Sequence, residues 1–286
     1  MVEPETAAPH RHRPPLIDCH AHIFGEDLPV TSNAWISPDY TFPADRLLAL
    51  LDENGVHFGV ISGLSITGHY NDYMLSQLRG SKRLRGTVIV PPNVDRFTLE
   101  RMADDGVIGI RLQLARQSDL ADFRSDEWRL LLRRVRDLGW HVHLAIEGEH
   151  LRPVLGALLE SGVKTVIDHF GHPDPADPER CDGMDAIAAA VDRGRTWVKM
   201  SAGFRLSGTE AWQDPEADLV SVADRAAAAL LRRIGTDRCL WGSDAPFVGY
   251  ERRITYAQVL ADYFRWVPDS ARRDEIDRTA LQLYFS

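Results

Sequence analysis

An apolar run near the amino terminus ends in two imidazoles, Ile17-Asp18-Cys19-His20-Ala21-His22. Residues two apart on an extended chain share a face, so His20 and His22 project together. Two further apolar runs end comparably, one in Asp168-His169 and one in Ser243-Asp244. Carboxylates and imidazoles so placed suit hydrolysis: a carboxylate takes a proton from water while imidazoles polarise a carbonyl, directly or through a divalent metal. Asp244 is the candidate base, with His169, His20 and His22 as its catalytic partners. A His-x-His pair alone could equally be two hydrogen-bonded surface histidines. Its place at a strand end, with Asp244 and His169 at two other ends, favours chemistry. Arg111 ends a fourth run and Arg205 follows a seventh. A guanidinium is a permanently charged planar fork matched to carboxylate, so the two arginines point to an anionic substrate, structural ion pairs being the alternative.

These residues need a frame that brings distant strand ends together. Eight short apolar or β-branched runs provide it: Leu16–His20, Phe58–Ser62, Leu84–Val90, Val107–Leu112, Trp140–Leu144, Thr165–His169, Thr196–Ser201 and Cys239–Asp244. Helical patterns lie between them. Asp45–Asn54 stops at Gly55, a left-handed cap, and Asp126–Leu138 opens at Ser125 as N-cap and closes at Gly139. Arg152–Ser161, Gly183–Arg193, Leu219–Ile234 and Ser270–Leu283 read as helices too. Such alternation implies parallel strands with crossover helices, and eight units in 286 residues predict a single-domain α/β fold, a closed (β/α)8 TIM barrel. Residues 1–15 read as a flexible N-terminal tail and 16–286 as the barrel. Loops at Phe24–Phe42, Pro173–Asp182 and Arg205–Asp218 are expected to shape the substrate entrance.

Composition narrows the partners. The chain carries 33 basic and 42 acidic residues, a formal charge of −9, which argues against nucleic acid. No apolar stretch reaches the roughly 18 residues of a membrane span. Three scattered cysteines, Cys19, Cys181 and Cys239, form no disulfide or CxxC framework and suit a reducing cytoplasm. The oligomeric state is left open.

Three anchors in order, Ile17-Asp18-Cys19-His20-Ala21-His22-Ile23-Phe24-Gly25, Val166-Ile167-Asp168-His169-Phe170-Gly171 and Leu240-Trp241-Gly242-Ser243-Asp244-Ala245-Pro246, resemble the amidohydrolase superfamily, amidohydrolase 2 type. Within it the chain is most similar to the lactonase-like branch that includes 2-pyrone-4,6-dicarboxylate lactonase. Tyr40-Thr41, Ser65, Gly109-Ile110-Arg111, Glu147, Lys199-x-Ser201 and Arg205-Leu206-Ser207 match that pattern as well. The resemblance implies that Tyr40, Ser65, Arg111 and Arg205 bind a small carboxylated substrate. It also implies one of two cofactor states: a divalent metal, zinc, on His20, His22 and Asp244 with Glu147 as a lesser donor, or metal-independent catalysis. By strand parity His143 shares a face with Glu147 and reads as a barrel-core histidine. Two departures bear on the substrate. Gln117, preceded by Arg116, stands where the relative has a further arginine, and Ala245-Pro246-Phe247 replaces a bulkier, more polar triplet; both point to a larger or less charged substrate.

The expected reaction is therefore hydrolysis of a carboxylated lactone by an Asp244-activated water. Two alternatives stand beside it: a metal-dependent decarboxylase of a carboxylated ring, and a barrel that binds a carboxylate without turning it over.

Overall fold

The runs pair side by side because each is buried on both faces, covered by helices on one and by other strands on the other. The computed structural model describes residues 13–117, 119–207, 218 and 220–286. Its strands are β1 (Ile17–Ala21), β2 (Phe58–Ser62), β3 (Leu84–Val88), β4 (Val107–Gln113), β5 (His141–Ala145), β6 (Lys164–Ile167), β7 (Thr196–Ser201) and β8 (Cys239–Gly242). They lie in chain order in one sheet, each parallel to the next. The helices among the described residues are α1 (Ala44–Glu53), α2 (Asp72–Arg79), α3 (Arg96–Asp104), α4 (Asp126–Asp137), α5 (Leu151–Ser161), α6 (Asp182–Val191), α7 (Ser221–Ile234), α8 (Tyr256–Trp266) and α9 (Ser270–Tyr284). The architecture is a single-domain (β/α)8 barrel. No helix among the described residues is long and apolar enough to cross a membrane.

The barrel closes where β8 meets β1. The Asp244 amide donates to the His20 carbonyl and the His22 amide to the Ala245 carbonyl, each at 2.7 Å. Gly242 permits this approach, since a Cβ there would stand 2.8 Å from the His20 nitrogen. Asp18 ties the seam from within: its carboxylate accepts from the Ser243 amide at 2.9 Å, the Ser243 hydroxyl at 2.5 Å and the Tyr256 hydroxyl at 3.0 Å.

Cys19 packs with Val60, Val166, Leu240 and Tyr284, and the next residue, His20, reaches Lys199 of β7. Strict alternation would turn Cys19 away from the interior that His20 serves. A register shift between Asp18 and Ala21 accounts for consecutive residues both facing inward.

Several boundaries depart from the sequence reading for local reasons. β6 and β8 stop short because His169, Phe170 and Asp244 take positive φ, at 50°, 58° and 66°, which ends extended pairing. Gly55 does take the left-handed cap, at φ 72°. Ser125 precedes α4 but makes no side-chain cap. α2, α3 and α8 were not distinguished by pattern; α3 buries Leu99 alone, so its apolar stripe is faint. Residues 1–12 of the expected tail lie outside the described residues, while Arg13 pairs with Asp277 at 2.8 Å.

Candidate active site

Barrel strands deliver polar side chains at their carboxyl ends, and a cavity of about 870 Å³ opens there. His22, Arg111, His169, Arg205 and Asp244 line it, with Ser65 and Glu147 also on the wall. Thr31, Asn33 and Trp35 come from the first expected entrance loop, and Pro173, Asp174 and Cys181 from the second. Arg205 and Leu206 line it from the third, whose residues 208–217 lie outside the described residues.

Three imidazoles converge on one carboxylate oxygen. Asp244 Oδ1 lies 3.4 Å from His22 Nε2, 3.5 Å from His20 Nε2 and 4.0 Å from His169 Nε2. Its other oxygen, Oδ2, accepts from Arg205 Nε at 2.6 Å. Burial pushes the Asp244 pKa up, but Arg205 and the imidazoles outweigh it and hold the carboxyl well below the usual range. The positive φ of Asp244 and His169 is a conformation non-glycine residues seldom adopt, and strain of this kind gathers at working sites.

A second carboxylate, Asp168, sits directly below, fully buried. Lys199 Nζ stands 3.1 Å from its Oδ1, Arg111 Nε 3.2 Å from its Oδ2, and His20 Nδ1 3.4 Å from Oδ1. Burial again pushes upward and the cations prevail, leaving Asp168 well below the usual carboxylate range. Lys199 Nζ lies within hydrogen-bond distance of His20 Nδ1, at 3.1 Å, and of His143 Nδ1, at 2.9 Å. The motif match had singled out Lys199 without giving it a role; a lysine in an apolar strand carries no sign of the partners the barrel brings to it. His143 is buried, with Nε2 3.2 Å from the Tyr284 hydroxyl.

Substrate-binding expectations divide. Ser65 and Arg205 line the cavity. Arg111 lines it too, yet it is committed to Asp168 and donates through Nη1 to the Gly63 carbonyl at 2.7 Å, the ion-pair alternative. Tyr40 is absent from the cavity wall; its hydroxyl donates to Glu251 Oε1 at 2.7 Å and its ring packs on Phe24. A tyrosine between a loop acid and an aromatic neighbour is held by both.

The donor set suits a divalent ion. His20, His22 and Asp244 offer ligand atoms within 4.8 Å of one another. Ligands about 2.0–2.2 Å from a tetrahedral ion stand roughly 3.3–3.6 Å apart, and both imidazole nitrogens stand at such a distance from Asp244 Oδ1. His22 Nδ1 donates to the Ser62 carbonyl at 2.8 Å, which orients the ring with Nε2 toward Asp244. His20 Nε2 is buried with no hydrogen-bond partner. His169 and Asp168 form a second such group with His20, whereas Glu147 belongs to neither among the described residues. Glu147 Oε1 accepts from the Arg116 amide at 2.6 Å.

Comparison with known proteins identifies the family. An amidohydrolase family model matches residues 17–285. A 2-pyrone-4,6-dicarboxylate hydrolase of Comamonas testosteroni is 26% identical over 280 residues, covering 93% of this chain and 87% of that protein. A solved structure of a candidate 2-pyrone-4,6-dicarboxylic acid hydrolase from Pseudomonas putida is 33% identical, with TM-score 0.84 over 96% of this chain and 98% of that one. Another, from Acinetobacter baumannii with citric acid bound, is 26% identical, with TM-score 0.86 over 94% and 98%. The match extends from the first residue of β1 to the end of α9, and the chain belongs to the amidohydrolase family.

Proposed function

We propose that the protein hydrolyses the ester C–O bond of a small carboxylated lactone, with Asp244 as general base. The observation that carries this reading is the convergence of three imidazole Nε2 atoms on Asp244 Oδ1 at the cavity floor. A water there gives a proton to Oδ1 as its oxygen bonds to the lactone carbonyl carbon. Charge developing on the carbonyl oxygen is met by imidazole N–H groups. The ring C–O bond then breaks, and the leaving oxygen takes up the proton that Asp244 holds. His20, His22 and Asp244 would hold a divalent ion such as zinc, which when bound supplies Lewis-acid polarisation of the carbonyl and a more acidic water.

Arg205, Arg111 and Ser65 are the cavity groups suited to a substrate carboxylate. Arg205 pairs with Asp244 and also lines the cavity, so it serves both the base and the anion. The relative from Comamonas acts on a carboxylated cyclic ester, and the Acinetobacter structure holds a tricarboxylic acid, both consistent with an anionic substrate. The 870 Å³ cavity, with Arg116 and Gln117 on its wall, has room for a ring with further substituents. The free cysteines suit a cytoplasmic enzyme.

A panel of carboxylated lactones and pyrones, followed by proton release, tests the assignment. Hydrolysis of at least one member is expected. Carbon dioxide release in place of ring opening would identify a decarboxylase, and tight binding without turnover a non-catalytic barrel.

A further inference from the structure

The loop that follows β8 brings Tyr250 to the cavity wall. The residue is only 3% exposed, yet its hydroxyl has no hydrogen-bond partner among the described residues. A buried phenol ordinarily finds one. The same loop wraps Arg205. Arg205 Nε donates to Asp244 Oδ2 at 2.6 Å and Nη2 to the Val248 carbonyl at 3.0 Å. The rings of Phe204 and Tyr250 lie 5.0 and 5.1 Å from its guanidinium carbon. Nη1 is thereby the arm left without an acceptor among the described residues. The turn that carries Tyr250 is held firmly. Its amide donates to the Phe247 carbonyl at 2.6 Å, and its carbonyl accepts from the Arg253 and Ile254 amides at 2.8 and 3.0 Å. Glu251 Oε1 braces the turn by accepting from the Gly249 amide at 2.9 Å and the Tyr40 hydroxyl at 2.7 Å.

We propose that Tyr250 is a specificity-determining residue of this cavity, its hydroxyl donating to the same substrate carboxylate that Arg205 receives through Nη1. A phenol is protonated at neutral pH and has one bond to give. The cation–π contact fixes guanidinium and phenol relative to each other, so the two donors reach a ligand already oriented. A carboxylate has two oxygens and can take one N–H and one O–H at once, both as charge-assisted bonds. A neutral ester at the same place gains less from either donor.

This inference rests on the proposed reading of the cavity as a carboxylate site, and its primary test is binding, not turnover. Tyr250→Phe keeps the ring beside Arg205 and removes a hydroxyl that no described protein group uses, so Tm should match the wild type. Titration calorimetry with citrate, a small tricarboxylate, should show Kd raised about tenfold in Tyr250→Phe, the loss of one hydrogen bond to a charged acceptor. In an Arg205→Gln background the same change should cost less than about threefold, because the two donors share one acceptor. On a carboxylated lactone that the wild type hydrolyses, Tyr250→Phe should raise KM about tenfold and leave kcat within about threefold. A citrate Kd within about twofold of wild type in Tyr250→Phe overturns the inference. So does an equal loss in both backgrounds, a fall in kcat with KM unchanged, or a wild-type protein that binds no citrate. If Arg205→Gln alone abolishes measurable binding, the Kd of Tyr250→Phe decides. Citrate effects as expected, without hydrolysis of any lactone, would sink the proposed reaction and leave Tyr250 in a carboxylate site.

Discussion

Replacing Arg205 by glutamine removes the cation that grips the proposed base. Arg205 Nε is 2.6 Å from Asp244 Oδ2, with the two side chains 16% and 2% exposed, so solvent screens the pair little. Breaking a buried ion pair from one side typically costs about 3–5 kcal/mol. Three imidazole nitrogens remain within 3.4 to 4.0 Å of the orphaned carboxylate, which places this case at the low end. About 3 kcal/mol in a chain of this length lowers Tm by roughly 6 °C. The sign of the pH effect follows from the base. Asp244 has to be ionised to accept a proton, and Arg205 helps keep its pKa low, so without the arginine the carboxyl protonates at higher pH. The acid limb of kcat/KM should therefore move upward in pH. KM for an anionic substrate should also rise. The assay is kcat/KM from pH 4 to 9 for both proteins, beside a thermal melt. An unmoved acid limb with a wild-type Tm would refute the view that Arg205 tunes Asp244.

Two further outcomes concern stability. Arg111→Met strips Asp168 of one buried cation and the Gly63 carbonyl of its donor, so Tm should fall by several degrees even without substrate; a change confined to KM would return Arg111 to a pure binding role. Burial holds the pKa of His141 down at about 3 and of His172 at about 4, against 6.5 in the unfolded chain. The unfolded chain therefore takes up protons first as pH drops below 6.5, so stability is full above that value and declines toward pH 4. At pH 5 each ring costs about 2 kcal/mol. Urea unfolding at pH 7.5 and 5.0 should show the combined loss, and His141→Gln should recover part of it; equal unfolding free energies at the two pH values would count against buried neutral rings.

The barrel was legible because its strands are short, β-branched and separated by helical patterns, as in Thr196–Ser201, which the structure reproduces to the residue. The helices with strong apolar stripes, such as Asp126–Asp137, were legible for the same reason. His20, His22, His169 and Asp244 stood out because each ends a strand, where barrel topology gathers side chains. Pairings across the barrel were not legible. Lys199 and His20 are 179 positions apart, and their contact depends on the curvature of the closed sheet. Tyr40 and Glu251 are 211 apart, so nothing local showed that this hydroxyl already had an acceptor. The inward turn of both Cys19 and His20 escaped the two-residue period because the irregularity in β1 lies in its pairing with β2.

The central claim is that Asp244 takes the proton of the attacking water. Asp244→Asn keeps the size of the side chain and its contacts with Arg205 and the histidines can partly persist, but the amide cannot serve as the base. The most direct measurement is turnover and substrate affinity of this variant, side by side, on whichever carboxylated lactone the wild-type protein hydrolyses. The account predicts a fall in kcat of about a thousandfold or more with affinity changed far less. A variant that turns over within tenfold of wild type would contradict it.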